Sequence, residues 1–140
     1  MFYKDFLKIA RACPFCSKKN NRAIIEEKTA YLTYALAPYS KYHMLVVPKG
    51  HVISFSGLSR AEESDITKLL ARGVKILRKL KINDFSILAR EGSKQKSIEH
   101  LHFHIIPNHR IGDLDARGKK RKIMTENEIK NILSEIKKIT

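Results

Sequence analysis

The run His100-Leu101-His102-Phe103-His104-Ile105-Ile106-Pro107 alternates imidazoles with large apolar side chains and stops at a proline. A period of two marks an extended strand, whose successive side chains point to opposite faces. A strand over 98–106 turns Leu101, Phe103 and Ile105 into a core. It sets His100, His102 and His104 in a row on the other face, neighbours roughly 7 Å apart. Such a row can serve as nucleophile, proton donor or metal ligand near neutral pH. Residue type and spacing alone leave three accounts open: a catalytic row, a metal site and a chance cluster.

Outward from this strand, residues 1–12 mix basic and apolar positions and predict a short amphipathic helix, followed by a solvated turn at 17–22. Strands are expected at 23–25 and 30–36, around a charged turn. A further apolar strand over 42–47 ends at Pro48-Lys49-Gly50. Ser59 and Glu62 have capping-box spacing. After them Ile66, Leu69, Leu70, Val74, Leu77 and Leu80 recur at threes and fours, the apolar stripe of a helix. A strand over 84–89 and a polar loop over 91–97 precede the histidines. A terminal helix opens on a second capping box, Thr125 and Glu128, and Ile129, Ile132, Leu133, Ile136 and Ile139 are its expected buried face. The order predicts an α+β domain, an antiparallel sheet with the long helix and the C-terminal helix packed on it. No glycine-rich phosphate loop opens a helix, which leaves Rossmann and P-loop readings without support.

At 140 residues the chain is expected to form one domain, 1–140. That length can remove about 70% of its unfolded surface from water without disulfide staples. With 43% apolar and 30% charged residues, wholesale disorder is excluded. No apolar run approaches the roughly 18 residues that cross a bilayer, and no signal-peptide pattern opens the chain, so no membrane partner is expected. Twenty-eight Lys and Arg against 14 Asp and Glu give a formal charge of +14. That favours anionic partners (phosphates, nucleotides, nucleic acids) without choosing among them. The two cysteines, Cys13 and Cys16, stand in Cys-Pro-Phe-Cys. Without a secretory signal the expected compartment is the reducing cytoplasm. There such a pair is a metal knuckle or a redox pair. A redox pair belongs in a βαβ unit, and its flanks here do not match one. Zinc takes four nitrogen or sulfur ligands, often a knuckle plus two histidines from elsewhere in the chain.

The segment from His100 to Ile106 resembles, without a gap, the signature of the histidine triad superfamily. The stretch Tyr42-His43-Met44-Leu45-Val46-Val47-Pro48-Lys49-Gly50-His51 is similar to that family's histidine, apolar strand, Pro-Lys and histidine. The cysteine knuckle is similar to its zinc-bearing branch, which includes galactose-1-phosphate uridylyltransferase-like proteins. The resemblance implies a nucleotide hydrolase or nucleotidyl transferase acting at an α-phosphate. His102 would be the nucleophile, with a nucleotidyl-histidine intermediate, and the substrates would be dinucleoside polyphosphates or nucleoside phosphoramidates. A neutral imidazole can attack phosphorus when one ring nitrogen is unprotonated and the other is held by an acceptor. His104 and then His43 are the expected donors to the phosphoryl oxygens. Ser97 stands where the family commonly has a hydroxyl or amide donor; Gln95 and Lys96 are further nucleotide-binding candidates.

The same branch implies a structural zinc on Cys13, Cys16, His51 and His100, and the family implies a homodimer. Two departures stand out: Arg90 sits near a position where many relatives have asparagine, and residues 31–38 contain no acid to hold a ribose. The basic run over 117–122, Arg-Gly-Lys-Lys-Arg-Lys, is either a solvated loop or a contact for nucleic-acid backbone. It keeps two alternatives open: aprataxin-like removal of nucleotides from nucleic-acid ends, and a non-enzymatic zinc-stabilised module that binds nucleotide or nucleic acid.

Overall fold

Among the residues described by the computed structural model, short runs of apolar and β-branched residues build five strands. They are β1 (Ala23–Glu26), β2 (Ala30–Tyr34), β3 (Met44–Pro48), β4 (Phe85–Leu88) and β5 (Phe103–Pro107). A 3-10 turn, Phe55–Gly57, precedes helix α1 (Arg60–Lys79), and helix α2 (Glu126–Ile139) is the last described element. The structure describes residues 2, 13–16, 23–35, 37–92, 98–108 and 123–139. The expected helix over 1–12 and turn over 17–22 therefore fall almost wholly outside the described residues. So do Gln95, Lys96, Ser97, His109 and the basic run over 117–122. The described residues belong to two units, Met1–Arg110 and Ile111–Thr140, each described by itself.

The first unit is a five-stranded sheet in the order β1-β2-β3-β5-β4, with every neighbouring pair antiparallel. This is the expected α+β architecture with a helix layered on an antiparallel sheet. Helix α1 lies across β2, β3 and β5. The core between them gathers Leu32, Met44, Val46, Ile66, Leu69, Leu77, Leu101, Phe103 and Ile105. Ser59 caps α1 with the expected box: its hydroxyl accepts from the Glu62 N–H, and the Glu62 carboxylate accepts from the Ser59 N–H. A second clamp ties the β1–β2 turn to the helix, since Thr29 donates to Asp65 from both N–H (2.9 Å) and hydroxyl (2.6 Å). Those bonds hold the Asp65 carboxyl below its usual range.

Strand β3, Met-Leu-Val-Val-Pro, is buried along its whole length. Met44 and Val46 face α1 and pair with Ile105 and Phe103. Leu45 pairs with His104 on the other face. The sheet therefore has a helix side, which is core, and an opposite side on which the histidines stand.

Three expectations are corrected. The strand over 98–106 begins only at Phe103; residues 98–100 bend, and the Leu101 N–H bonds the Val52 carbonyl at 2.7 Å. The register explains this. Val46 opposite Phe103 would put Leu101 opposite Pro48, which has no N–H to continue the ladder. The stripe of α1 is shifted as well. Leu70 and Val74 are half-buried and Leu80, the C-cap, is exposed, while Gly73 is buried at the helix–sheet contact. Finally, α2 has its capping box, Thr125 with Glu128, but its expected buried face is not buried. Ile129, Ile132, Leu133 and Ile136 are 43–51% exposed. Among the described residues of Ile111–Thr140, α2 is the one element, and none of them forms a second layer against its apolar face.

Candidate active site

Three histidines with defined tautomers lie on the sheet face opposite α1. His104 is carried by β5, His102 by the extended segment just before it, and His43 by the residue that enters β3. All three alternate with core residues, so all project away from α1. Their ring centroids are 4.8 Å apart for His102 and His104, and 5.2 Å for His104 and His43. This is closer than the strand repeat alone gives. The turn that delivers His43 is tight: Tyr42 adopts a left-handed φ of 69°, a costly conformation for a bulky residue. It is braced by the Ser40 hydroxyl, which donates to the Pro107 carbonyl.

The hydrogen bonds fix which nitrogens carry protons. The Tyr39 N–H donates to His43 Nδ1 at 3.1 Å, so the His43 proton is on Nε2. His43 Nε2 in turn lies 3.0 Å from His104 Nδ1 and donates to it. The neutral His104 ring therefore carries its proton on Nε2, a donor. Burial pushes the His104 pKa down to about 3, any proton taken up by His102 or His43 acts in the same direction, and so does the Arg90 cation, which keeps this ring neutral. His102 Nδ1 lies 2.8 Å from the His100 backbone carbonyl, and only an N–H can bond there. In the neutral ring this puts the lone pair of His102 on Nε2. A nucleophilic nitrogen and a neutral N–H donor thus stand side by side.

His100, the first residue of the triad, is turned away from this pair. It is fully buried, and its Nδ1 lies 3.4 Å from both Cys13 Sγ and Cys16 Sγ. Cys16 Sγ is also 3.2 Å from His51 Nδ1. One ligand atom from each of Cys13, Cys16, His51 and His100 lies within 4.8 Å of all the others, a cluster that could hold a metal ion. The donor set fits zinc well. Zinc–sulfur and zinc–nitrogen bonds of about 2.3 and 2.0 Å at a tetrahedral angle separate sulfur from nitrogen by about 3.5 Å. His100 Nε2 donates to the Pro48 carbonyl at 2.7 Å, which leaves Nδ1 facing the two sulfurs and fixes the ring as a second-shell bond fixes a metal ligand. Burial also lowers the His100 pKa, favouring the neutral ring that a metal needs. Burial, the hydrogen bond that the Cys16 thiol gives to Cys13 and the charge of Cys13 push the Cys16 thiol up, so the pair would need a cation between them to stand as two thiolates. Among the described residues, no other histidine of the triad joins this cluster.

Sequence reasoning thus named His43, His51, His100, His102, His104, Cys13 and Cys16, and the structure places them in two adjoining groups. It missed the parts supplied by the main chain: the carbonyls of Pro48 and His100 and the N–H of Tyr39. It also missed Phe15, whose ring lies 5.1 Å from that of His102, although its place inside the knuckle was a signal. Arg90, noted as a departure, acts electrostatically on His104. Glu91 is engaged elsewhere, accepting from the Phe55 N–H at 2.8 Å.

Comparison with known proteins points to one family. An uncharacterised HIT-like protein of Methanocaldococcus jannaschii is 29% identical over 126 residues, 86% of this chain and 98% of that one. The adenosine 5'-monophosphoramidase of Schizosaccharomyces pombe is 34% identical over 73 residues, 51% of this chain and 53% of that protein. The crystal structure of a HIT family protein from Bacillus anthracis superposes with a TM-score of 0.71 at 25% identity, covering 94% of this chain and 99% of that one. The HIT domain family matches residues 17–111, from just after the knuckle to just past the triad, and the chain belongs to that family.

Proposed function

We propose that this chain hydrolyses or transfers nucleotides at an α-phosphate, with His102 as the nucleophile. The observation that carries the reading is the 2.8 Å bond from His102 Nδ1 to the His100 carbonyl, which aims the lone pair outward on Nε2. In the first step His102 Nε2 forms a bond to the α-phosphorus, and the bond from phosphorus to its leaving group breaks: a phosphate oxygen departs with the electron pair as an anion, whereas a nitrogen departs as the amine after taking a proton from solvent. In the second, water attacks phosphorus, the N–P bond breaks, and the neutral ring returns with one proton released to solvent. An acceptor alcohol or phosphate in place of water gives transfer. The His104 N–H, kept in its neutral form and oriented by His43, stabilises charge on the phosphoryl oxygens. Ser97, Gln95 and Lys96 complete the nucleotide contacts in this reading.

The substrate classes are dinucleoside polyphosphates and nucleoside phosphoramidates, the latter supported by similarity to a phosphoramidase over half of this chain. Zinc on Cys13, Cys16, His51 and His100 would be structural, since four protein ligands leave no open position. The reading includes a cytoplasmic homodimer. Contact of the basic run with nucleic acid, which would extend the substrates to nucleic-acid ends, is its less supported branch.

The test compares the parent with His102→Ala on a panel of both substrate classes. The variant should lose at least about 1,000-fold in kcat while nucleotide affinity stays within a few-fold. Equal behaviour of the two proteins, with nucleotide bound and left intact, would instead identify a binding module.

A further inference from the structure

The turn that carries the two cysteines also carries an aromatic ring, and that ring lies against the triad. The Phe15 centroid is 5.1 Å from that of His102 and 5.6 Å from that of His100. The turn is closed by the Cys16 N–H on the Cys13 carbonyl. It is tied to the sheet by the Tyr31 hydroxyl of β2, which donates to the Phe15 carbonyl at 3.1 Å. Phe15 is therefore held from one side by the metal-binding cysteines that flank it and from the other by β2.

His102 needs such support. The torsion that turns an imidazole about its Cβ–Cγ bond is broad and nearly two-fold. Half a turn exchanges the positions of the ring's two edges and takes Nδ1 away from the His100 carbonyl. The bond from Nδ1 to the His100 carbonyl opposes that motion with the modest net strength of a neutral hydrogen bond. The Phe15 ring at 5.1 Å and the His104 ring at 4.8 Å both crowd the imidazole and oppose its turning.

We propose that Phe15 is a positioning residue for His102, and that the knuckle carrying it couples metal binding to the orientation of the attacking nitrogen. The inference rests on His102 being the nucleophile. It gives the metal cluster a second link to the triad, beside the one made through the His100 backbone.

The test uses the zinc-loaded full chain, its Phe15→Ala and Phe15→Leu variants, and nitrogen-15 labelled histidine. Long-range proton–nitrogen spectra report which His102 nitrogen carries the proton and whether one ring orientation persists; kcat, KM and zinc content are measured on the same samples. All ligands are intact in both variants, so zinc content should match the parent. In Phe15→Ala the single His102 Nδ1–H pattern should give way to an averaged one. Its kcat should fall roughly tenfold with KM within about threefold, and leucine should restore most of the loss. A His102 pattern unchanged in Phe15→Ala overturns the proposal, as does a raised KM at unchanged kcat, which would make Phe15 a ligand contact. If the pattern changes as expected but the parent turns over no nucleotide, the positioning role stands and the catalytic reading fails.

Discussion

His102 and His104 are the same residue type two positions apart, yet the fold gives their Nδ1 atoms opposite parts in hydrogen bonding. What separates them is which ring nitrogen meets the backbone or a neighbour. His102 gives its Nδ1–H to a carbonyl, whereas His104 receives at Nδ1 from His43. The alternation of the histidines was legible because side-chain direction in an extended chain follows position alone. The roles proposed for them were legible only through the family resemblance; the tautomers that support those roles are set by the His100 carbonyl and the Tyr39 N–H, groups every residue has. Burial of His104 has a measurable consequence. Its folded pKa, about 3, lies below the usual 6.5, so between those values the unfolded chain binds more protons than the folded one. His104 therefore adds a component of stability that is present above pH 6.5 and lost as pH falls toward 3. Denaturant titrations of the parent and His104→Gln at pH 7.5 and pH 5 should show their stability difference, parent minus variant, shrinking at the lower pH. An equal difference at both would mean that this ring is not held neutral by the fold.

At the scale of elements, the contact between α1 and the sheet depends on Gly73. A Cβ built there would lie 2.5 Å from Ile105 Cδ1 and 3.5 Å from Leu32 Cδ1. Alanine would improve the helix by about 1 kcal/mol, and overpacking costs about 1–3 kcal/mol, so Gly73→Ala should destabilise by on the order of 1 kcal/mol. In an Ile105→Val background, which removes the clashing methyl, the same change should become neutral or stabilising; additive losses in the double-mutant cycle would refute the contact. Ser59→Ala should cost about 1 kcal/mol in unfolding free energy through loss of the capping box. The helix was legible from its period and its cap, but the sequence pattern counts only apolar side chains, so Gly73 escaped it. The start of β5 was hidden for another reason. His100, Leu101 and His102 continue the alternation, while the ladder is ended by Pro48 on the partner strand, 52 residues before His100. The stripe of α2 shows the converse: period three-to-four says that a face wants cover, not what provides it.

For the molecule as a whole, the knuckle is where a distant part of the sequence joins the site. Cys13 and Cys16 meet His51 and His100, residues 35 and 84 positions beyond Cys16. Their assembly was legible only through resemblance to a family, since no spacing rule selects two histidines out of six. About one zinc per chain is expected. Its removal by a strong chelator, or Cys13→Ala with Cys16→Ala, should lower Tm by on the order of 5 °C or more, as loss of a bound structural ion does. Equal melting of metal-loaded and metal-free protein would show that the cluster does not hold the fold. The central claim, that phosphorus is captured by one imidazole of the triad, is tested most directly by trapping the intermediate. The protein is mixed with a nucleotide substrate labelled in its α-phosphate, quenched under conditions that keep a phosphoramidate bond, and digested for peptide mapping. The account predicts an acid-labile nucleotidyl group on His102, absent from His102→Ala; label on any other residue, or brisk turnover with no labelled peptide, would contradict it.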